Sequence, residues 1–245
     1  MRSEILEDTT PVPFFGDYES SNIISIGLNP SSVEFPVKTT DRRLIHLSDL
    51  GLSRDHYQSS SSQMNDDSAT QVLDGCKNYF EKNPYTWFDY AEMVNQTGFK
   101  ATFYALNKLQ PRVCHTDVFP WATRRFASIS RKIQSEFKKE NRDFLIWFLT
   151  REQISDLVVL GKQTWSELES ELPIKKVVET QAIGPNKAVF EAGYFVLEGK
   201  KARFFMTSQG PSVQFEIEDQ KVGIKKAKEL IHQAFGEFIA ENRSS

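Results

Sequence analysis

The sequence predicts an α/β protein, a three-layer sandwich in which helices flank a central, mainly parallel sheet. Short apolar runs of β type alternate with longer segments of helical periodicity, the pattern of parallel strands joined by crossover helices. Four of these runs end in polar or glycine-containing turns, at Asn29, Asp117, Gly161 and Ser208. Because the carboxyl ends of parallel strands share one sheet edge, where ligands bind, we expect these turns to converge.

The amino-terminal half is predicted to contain one strand and several helices. Residues 1–21 are expected to form an irregular arm. Residues 22–28 are an apolar run of β type that ends before Pro30, which continues neither strand nor helix. Residues 30–66 are rich in loop-forming residues. Three helical segments are then predicted, over 68–82, 84–96 and 98–109.

The carboxy-terminal half predicts most of the sheet. Strand-like runs cover 112–119, 156–161, 175–181, 187–198 and 202–207. Helical segments cover 130–153, 162–171 and 218–240. The last of these places Ala227, Ile231, Phe235 and Ile239 on one face, which is expected to pack on the core. Since no repeat or linker divides the chain, we expect one domain over residues 1–245.

Composition and charge exclude several classes of protein. The chain has 245 residues, of which 39% are hydrophobic and 26% charged, as in soluble globular proteins. The longest apolar run, 144–149, is too short to span a bilayer. Two cysteines make neither a disulfide framework nor a metal cluster, so a reducing, cytoplasmic environment is expected. We also expect a monomer. A net charge of −3 argues against a non-specific nucleic-acid coat, although a local basic groove remains compatible with it.

The most informative motif is Gly27-Leu28-Asn29-Pro30-Ser31, which directly follows the first predicted strand. It places one neutral amide, that of Asn29, at the carboxyl end of a buried strand. An amide does not titrate at working pH, so it would position a group such as a water rather than transfer a proton. The alternative is an Asx turn that merely ends the strand.

Three further segments complete an ordered set with this motif. They are Thr116-Asp117-Val118-Phe119-Pro120, Val158-Val159-Leu160-Gly161-Lys162 and Gly210-Pro211-Ser212-Val213. In order and spacing the set resembles the uracil-DNA glycosylase superfamily over roughly residues 14–215. The Gly-x-Asn-Pro form is most similar to its mismatch-specific and single-strand-selective branches. Residues 27–50 also resemble an uncharacterised bacterial branch of this superfamily.

The resemblance implies hydrolysis of the N-glycosidic bond of a nucleotide flipped out of DNA, with no metal or cofactor. Such bonds break through an oxocarbenium-like sugar while charge grows on the leaving base. By this resemblance Asn29 is the catalytic residue that positions the attacking water. The base would be contacted by Leu28, Ser31, Phe35, Asp117 and Gly210.

Two positions depart from the family pattern. Asp117 stands where the family carries an Asn, and an ionised carboxylate only accepts hydrogen bonds. It therefore suits the exocyclic amino group of cytosine better than uracil. Alternatively, Asp117 caps the turn at Pro120 or pairs with Arg124 or Arg125. Gly210 stands where a His or Asn would stabilise the leaving base, so catalysis could be weakened, or the space could admit a larger base.

The predicted DNA contacts come from basic residues near the strand ends and from the last motif. The family's stacking Phe falls at the spacing of Arg42 and Arg43, so either an Arg or the earlier Phe35 would stack on the base; a solvated Arg pair is the alternative. Among the histidines no metal spacing is visible, and His115 is expected to be buried or to orient another group. The proposed DNA contacts are Lys38, Arg42, Arg43, Arg124, Arg125, Ser208, Gln209, Ser212 and Gln214.

The sequence thus predicts a monofunctional DNA glycosylase, with a modified and possibly bulky phage-type cytosine as favoured substrate. DNA repair and antiviral defence are both compatible with that activity. Three alternatives remain open at this point: a uracil-excising repair enzyme, a hydrolase of free nucleosides, and a DNA-binding module that kept the fold without catalysis.

Overall fold

A six-stranded sheet forms the middle of the protein. The structure is a computed structural model that describes residues 5–36, 42–53, 64–82, 84–104, 111–123, 126, 129–209 and 223–243. The strands are β1 (Ser21–Gly27), β2 (Arg112–Asp117), β3 (Asp156–Leu160), β4 (Lys175–Ile183), β5 (Val189–Leu197) and β6 (Lys200–Thr207).

The order across the sheet is β2-β1-β3-β6-β5-β4. The first four strands in this order are parallel, whereas β5 and β4 run antiparallel to their neighbours. The antiparallel step follows from the tight turn at Glu198-Gly199, where both residues have positive φ (47° and 82°) as a two-residue hairpin requires. The predicted α/β class with a mainly parallel sheet is confirmed.

Helices cover both faces of this sheet. The described helices are α1 (Asp66–Lys77), α2 (Trp87–Phe99), α3 (Arg131–Thr150), α4 (Lys162–Glu171) and α5 (Ile224–Arg243). Neighbouring residues of a strand point to opposite faces. On β6, the ring of Phe204 lies 5.4 Å from Trp165 of α4, and that of Phe205 lies 5.5 Å from Phe99 of α2. The sheet is therefore the central layer of a three-layer arrangement.

Local sequence explains where the helices begin. Asn65 caps α1 by accepting a hydrogen bond from the Ser68 amide, and Ser130 caps α3 through the amide of Ile133. The apolar stripe of α5 buries Ile231, Phe235 and Ile239, in agreement with the predicted face. None of the described helices has the length and apolar content needed to cross a bilayer.

One predicted helix was wrong in the described region. Periodicity suggested a helix over 98–109, but α2 ends at Phe99, and Lys100 takes a left-handed conformation with φ of 51°. Thr102 then bridges to Arg112 at the start of β2. Phe99 and Phe103 have the i, i+4 spacing of a helix, but the segment that joins them is a buried connection with Ala101 also in the core. Residues 105–110 lie outside the described residues.

The parallel strands place their carboxyl ends at one edge. Gly27 of β1 lies opposite Asp117 of β2, and Leu160 of β3 lies opposite Thr207 of β6. Two backbone hydrogen bonds join the turns after β1 and β2: Val118 donates to the Gly27 carbonyl and Phe119 to that of Leu28, at 3.1 and 3.0 Å. These bonds fix the segment that carries Asn29 against the segment that carries Asp117.

Candidate functional site

A cavity of about 360 Å³ opens at the carboxyl ends of β1 and β2. Its volume lies within the range of roughly 300–1,000 Å³ typical of small-molecule sites. It is lined by Phe15, Gly27, Leu28, Asn29, Pro30, Ser31, Glu34, Tyr85, Trp87, Phe88, His115, Asp117, Thr123, Phe126 and Leu160. The structure thus brings together four of the predicted site residues, Leu28, Asn29, Ser31 and Asp117.

The amide of Asn29 is held in one orientation. Its Nδ2 donates to the carbonyl of Pro30 at 2.8 Å and to Oγ1 of Thr123 at 3.0 Å. Among the described residues no hydrogen bond reaches its Oδ1, which leaves this oxygen able to accept from a water or a ligand. Thr123 positions this amide, and no local sequence pattern selects it, because it lies 94 positions away along the chain.

The side chain of Asp117 lies on the wall of the same cavity and is only 4% exposed. Its Oδ1 is 3.5 Å from Nε2 of His115, whose Nδ1 is 2.7 Å from Oγ of Ser25. His115 is buried, as one of its two expected roles required, and it lies beside the Asp117 carboxyl group. Gly27 makes this possible, because a Cβ there would lie 2.5 Å from Asp117 Oδ1.

Glu34 is a cavity residue to which sequence reasoning gave no role. It ends the short 3-10 turn Ser32–Glu34, which Ser31 caps by accepting from the amide of Val33 at 3.3 Å. Its side chain is buried and accepts a hydrogen bond from the hydroxyl of Tyr79. Tyr79 is itself fully buried, and its hydroxyl also accepts from the Tyr85 amide at 2.9 Å.

Burial raises the pKa of the Glu34 carboxyl group to about 7. The hydrogen bond from Tyr79 and the charge of Arg43 oppose this rise in pKa, while the nearby Asp117 adds to it. Burial, together with Glu34, also raises the pKa of the Tyr79 hydroxyl, which therefore keeps its proton and remains a donor. The cavity thus holds a carboxyl group that can exist as the neutral acid near pH 7.

Aromatic rings form much of the remaining wall. Trp87 and Phe88 stand at the start of α2, with ring centroids 4.8 Å apart, and Trp87 lies edge-on to His115 at 5.1 Å. Phe15 and Phe126 complete this wall. The sequence offered no signal for these residues beyond a high Phe content, because they reach the cavity from distant segments. Flat apolar walls of this kind suit a planar ring.

The predicted stacking residue Phe35 lies elsewhere. It is buried, packs edge-on against His46 at 5.4 Å, and is not among the residues that line the cavity. The rings of the cavity wall include Phe15 of the amino-terminal arm, Trp87 and Phe88 of α2, and Phe126.

Several predicted DNA contacts are engaged within the protein. Arg42 pairs with Asp49 and lies 4.0 Å from Asp8, and Arg43 donates to the carbonyl of Val33 at 2.8 Å. Oγ of Ser208 accepts from the Val189 amide, and Nε2 of Gln209 donates to the Asn186 carbonyl. None of the four lines the cavity. The other predicted DNA contacts, Lys38, Arg124, Arg125, Ser212 and Gln214, and the predicted base contact Gly210 lie outside the described residues.

The described part of the chain also shows no set of three His, Cys, Asp or Glu side chains placed to hold a metal ion. Cys76 and Cys114 are both buried free thiols.

Comparison with known proteins adds no assignment. No model of a known protein family matches the chain, and no curated protein has a matching sequence.

Proposed function

We propose that this protein is a divergent DNA glycosylase of the uracil-DNA glycosylase superfamily. It would hydrolyse the N-glycosidic bond of a flipped pyrimidine, preferably a modified cytosine, and leave an abasic site. The observation that carries the proposal is the shared cavity of Asn29 and Asp117 at the carboxyl edge of the sheet. The sequence resemblance predicted these two residues for one site, and they lie in one hollow.

The amide of Asn29 supports the hydrolytic half of the proposal. Its donor side is occupied by Pro30 and Thr123, which turns the oxygen toward a group that can donate. A water held there would have its lone pair free to attack C1′ of a sugar at the cavity mouth. An ionised carboxylate inside the cavity would favour the positive charge that develops on the sugar ring.

The acidic groups support a cytosine-type base. Cytosine presents an amino donor and two acceptors, whereas uracil presents an acceptor where cytosine carries its amino group. An ionised Asp117 can accept from the amino group but repels the uracil oxygen. Gly27 leaves the carboxylate uncovered, and the cavity volume has room for a ring with a substituent.

The direct test uses oligonucleotides that each carry one modified base. The panel contains uracil, 5-methylcytosine, 5-hydroxymethylcytosine and its glucosylated form, in single strands and in duplexes. After incubation, alkali cleaves any abasic site and mass spectrometry detects the released base. We expect scission at a modified cytosine and a loss of at least about 100-fold in rate for Asn29→Ala.

Asn242→Ala is the matched control, because Asn242 also donates its amide to a backbone carbonyl, that of Phe238, but lies in α5. This control should keep the wild-type rate. Scission only at uracil would replace the cytosine assignment with repair of deaminated bases. Tight DNA binding without scission on the whole panel would overturn the enzyme in favour of a binding module, and activity on free nucleosides alone would overturn the DNA substrate.

A further inference from the structure

We infer that Glu34 is the catalytic acid of this site and donates the proton with which the base leaves. The inference rests on the proposed glycosylase function and deepens it, since it assigns a role that neither the sequence motifs nor the resemblance supplied. It is carried by the place of the Glu34 carboxyl group: buried, on the cavity wall, and held from behind by a tyrosine.

The protein holds the Glu34 carboxyl group through one of its two oxygens. The Tyr79 hydroxyl donates to Oε2 of Glu34, and Tyr79 is not among the residues that line the cavity. The hydroxyl therefore approaches from the protein side. Within the part of the chain that the structure describes, Oε1 has no hydrogen-bond partner. One oxygen is fixed by the protein, and the other is available to carry a proton toward a ligand.

The charges around the Glu34 carboxyl group favour its protonated form. The groups that act on Glu34 are Tyr79 from the 3-10 turn at Tyr79–Glu81, Arg43 from the segment just before His46, and Asp117 from β2. Asp117 lies close enough to disfavour a negative charge on Glu34, and His115 lies 3.5 Å from its Oδ1. A second negative charge in the same buried hollow is costly, so Glu34 is the acid that retains its proton.

The two acids of the cavity complement the edge of a cytosine-type base. An ionised Asp117 accepts from the amino group of a cytosine-type ring, and a protonated Glu34 donates to the acceptor N3 or O2. The pair thus complements one edge of this base with one acceptor and one donor. Uracil carries a proton on N3 and does not match this arrangement.

The proposed hydrolysis balances its bonds and protons. The C1′–N1 bond breaks and its electron pair stays with the base, while the proton of Glu34 Oε1 moves to N3 or O2, so the base leaves neutral. The water held by Asn29 forms the new C1′–O bond and loses its extra proton to solvent. Glu34 then regains a proton from solvent, which restores the site. No oxidant, reductant or metal takes part.

The experiment measures single-turnover cleavage of 5-methyl-, 5-hydroxymethyl- and 5-formylcytosine oligonucleotides from pH 5 to 9. A required acid makes the wild-type rate fall about tenfold per pH unit above the pKa of Glu34, near 7. Glu34→Gln should lower the rate about 10²- to 10⁴-fold with DNA affinity unchanged, and should lose this alkaline fall. Glu191→Gln, which removes a carboxylate of β5 paired with Lys176, is the matched control and should behave as wild type.

Two readouts separate a proton donor from a structural role. The formyl group withdraws electrons and makes the base a better leaving group, so the Glu34→Gln penalty should be smaller on 5-formylcytosine than on 5-methylcytosine. Tyr79→Phe removes a hydrogen bond that lowers the Glu34 pKa, so its alkaline fall should move to higher pH. The wild-type pH profile needs no variant and keeps the test valid if Glu34→Gln folds poorly.

The outcomes distinguish this inference from the proposed function. If the wild type cleaves and Asn29→Ala does not, but Glu34→Gln has an equal penalty on every base or a rate that rises with pH, the acid role is overturned and the glycosylase stands. If the wild type releases no base from any oligonucleotide, both proposals fall together.

Discussion

At the scale of single residues, the proposed preference for cytosine depends on the difference between a carboxylate and an amide at position 117. Asp117 is buried beside His115, and Gly27 opens the space in front of it. An Asn has nearly the same shape but adds two donors. It could therefore satisfy the uracil oxygen that a carboxylate repels.

Asp117→Asn is thus expected to change the choice of base rather than the fold. The substitution replaces the repulsion between the carboxylate and the uracil oxygen by a hydrogen bond from the amide. This exchange corresponds to about 1–3 kcal/mol, or roughly 5- to 150-fold in relative kcat/KM toward uracil. Competition between uracil and 5-hydroxymethylcytosine oligonucleotides measures this ratio. An unchanged ratio would show that Asp117 does not contact the base, and Asp49→Asn, on the Arg42 ion pair, is the control.

At the scale of elements, the contact between α2 and α5 depends on two glycines. A Cβ at Gly98 would lie 2.8 Å from Cβ of Ile239, and one at Gly236 would lie 2.6 Å from Cβ of Thr97. Both distances are shorter than carbon atoms tolerate, so the helices approach each other more closely than side chains would allow. The contact matters for the site, because α2 carries Trp87 and Phe88 into the cavity.

We expect Gly236→Ala to destabilise the protein although alanine favours helices. The gain in helix propensity is about 1 kcal/mol, whereas overpacking costs about 1–3 kcal/mol. Urea unfolding should show a net loss for Gly236→Ala. In a Thr97→Gly background, which removes the opposing Cβ, the same substitution should become neutral or stabilising. Equal effects in both backgrounds would mean that the helices have room for the methyl group.

Local sequence predicted the elements well where one signal dominated. Pro30 ended β1, and the apolar stripe of α5 appeared on the expected face. The predicted helix over 98–109 failed because Phe99 and Phe103, four residues apart and both buried, imitate a helical stripe although the chain between them leaves the helix. Asn29 and Asp117 were found through motifs, but Thr123 and Glu34 were not, since their roles arise from contacts between segments that no local pattern encodes.

At the scale of the whole molecule, two buried groups with displaced pKa values act on stability in opposite directions. Burial raises the pKa of Glu34 from 4.5 to about 7. Burial and the charge of Lys228 lower the pKa of His232, which packs 5.2 Å from Tyr90, from 6.5 to about 4. The first group holds a proton that the unfolded chain releases, and the second lacks a proton that the unfolded chain binds.

The direction in which each group changes the free energy of unfolding with pH follows from this difference in bound protons. The contribution of Glu34 is complete below pH 4.5 and is lost as the pH rises to about 7. The contribution of His232 is complete above pH 6.5 and is lost as the pH falls to about 4. Each amounts to about 3 kcal/mol at 1.36 kcal/mol per pKa unit. The lowered carboxyl pKa values of Asp8 and Asp17 act below about pH 4, outside this window.

Between pH 4.5 and 6.5 the two contributions therefore cancel in the wild type, and single variants should expose them. Glu34→Gln leaves only the histidine, so the free energy of unfolding should rise by about 1 kcal/mol per pH unit. His232→Phe keeps a buried ring and leaves only the acid, so the free energy should fall at a similar rate. The double variant should be flat again. Urea unfolding at half-unit pH steps measures the slope of the unfolding free energy with pH for all four proteins. The slopes of the two single variants should have opposite signs, because each variant keeps only one of the two proton differences. A common slope in all four proteins would contradict the assignment.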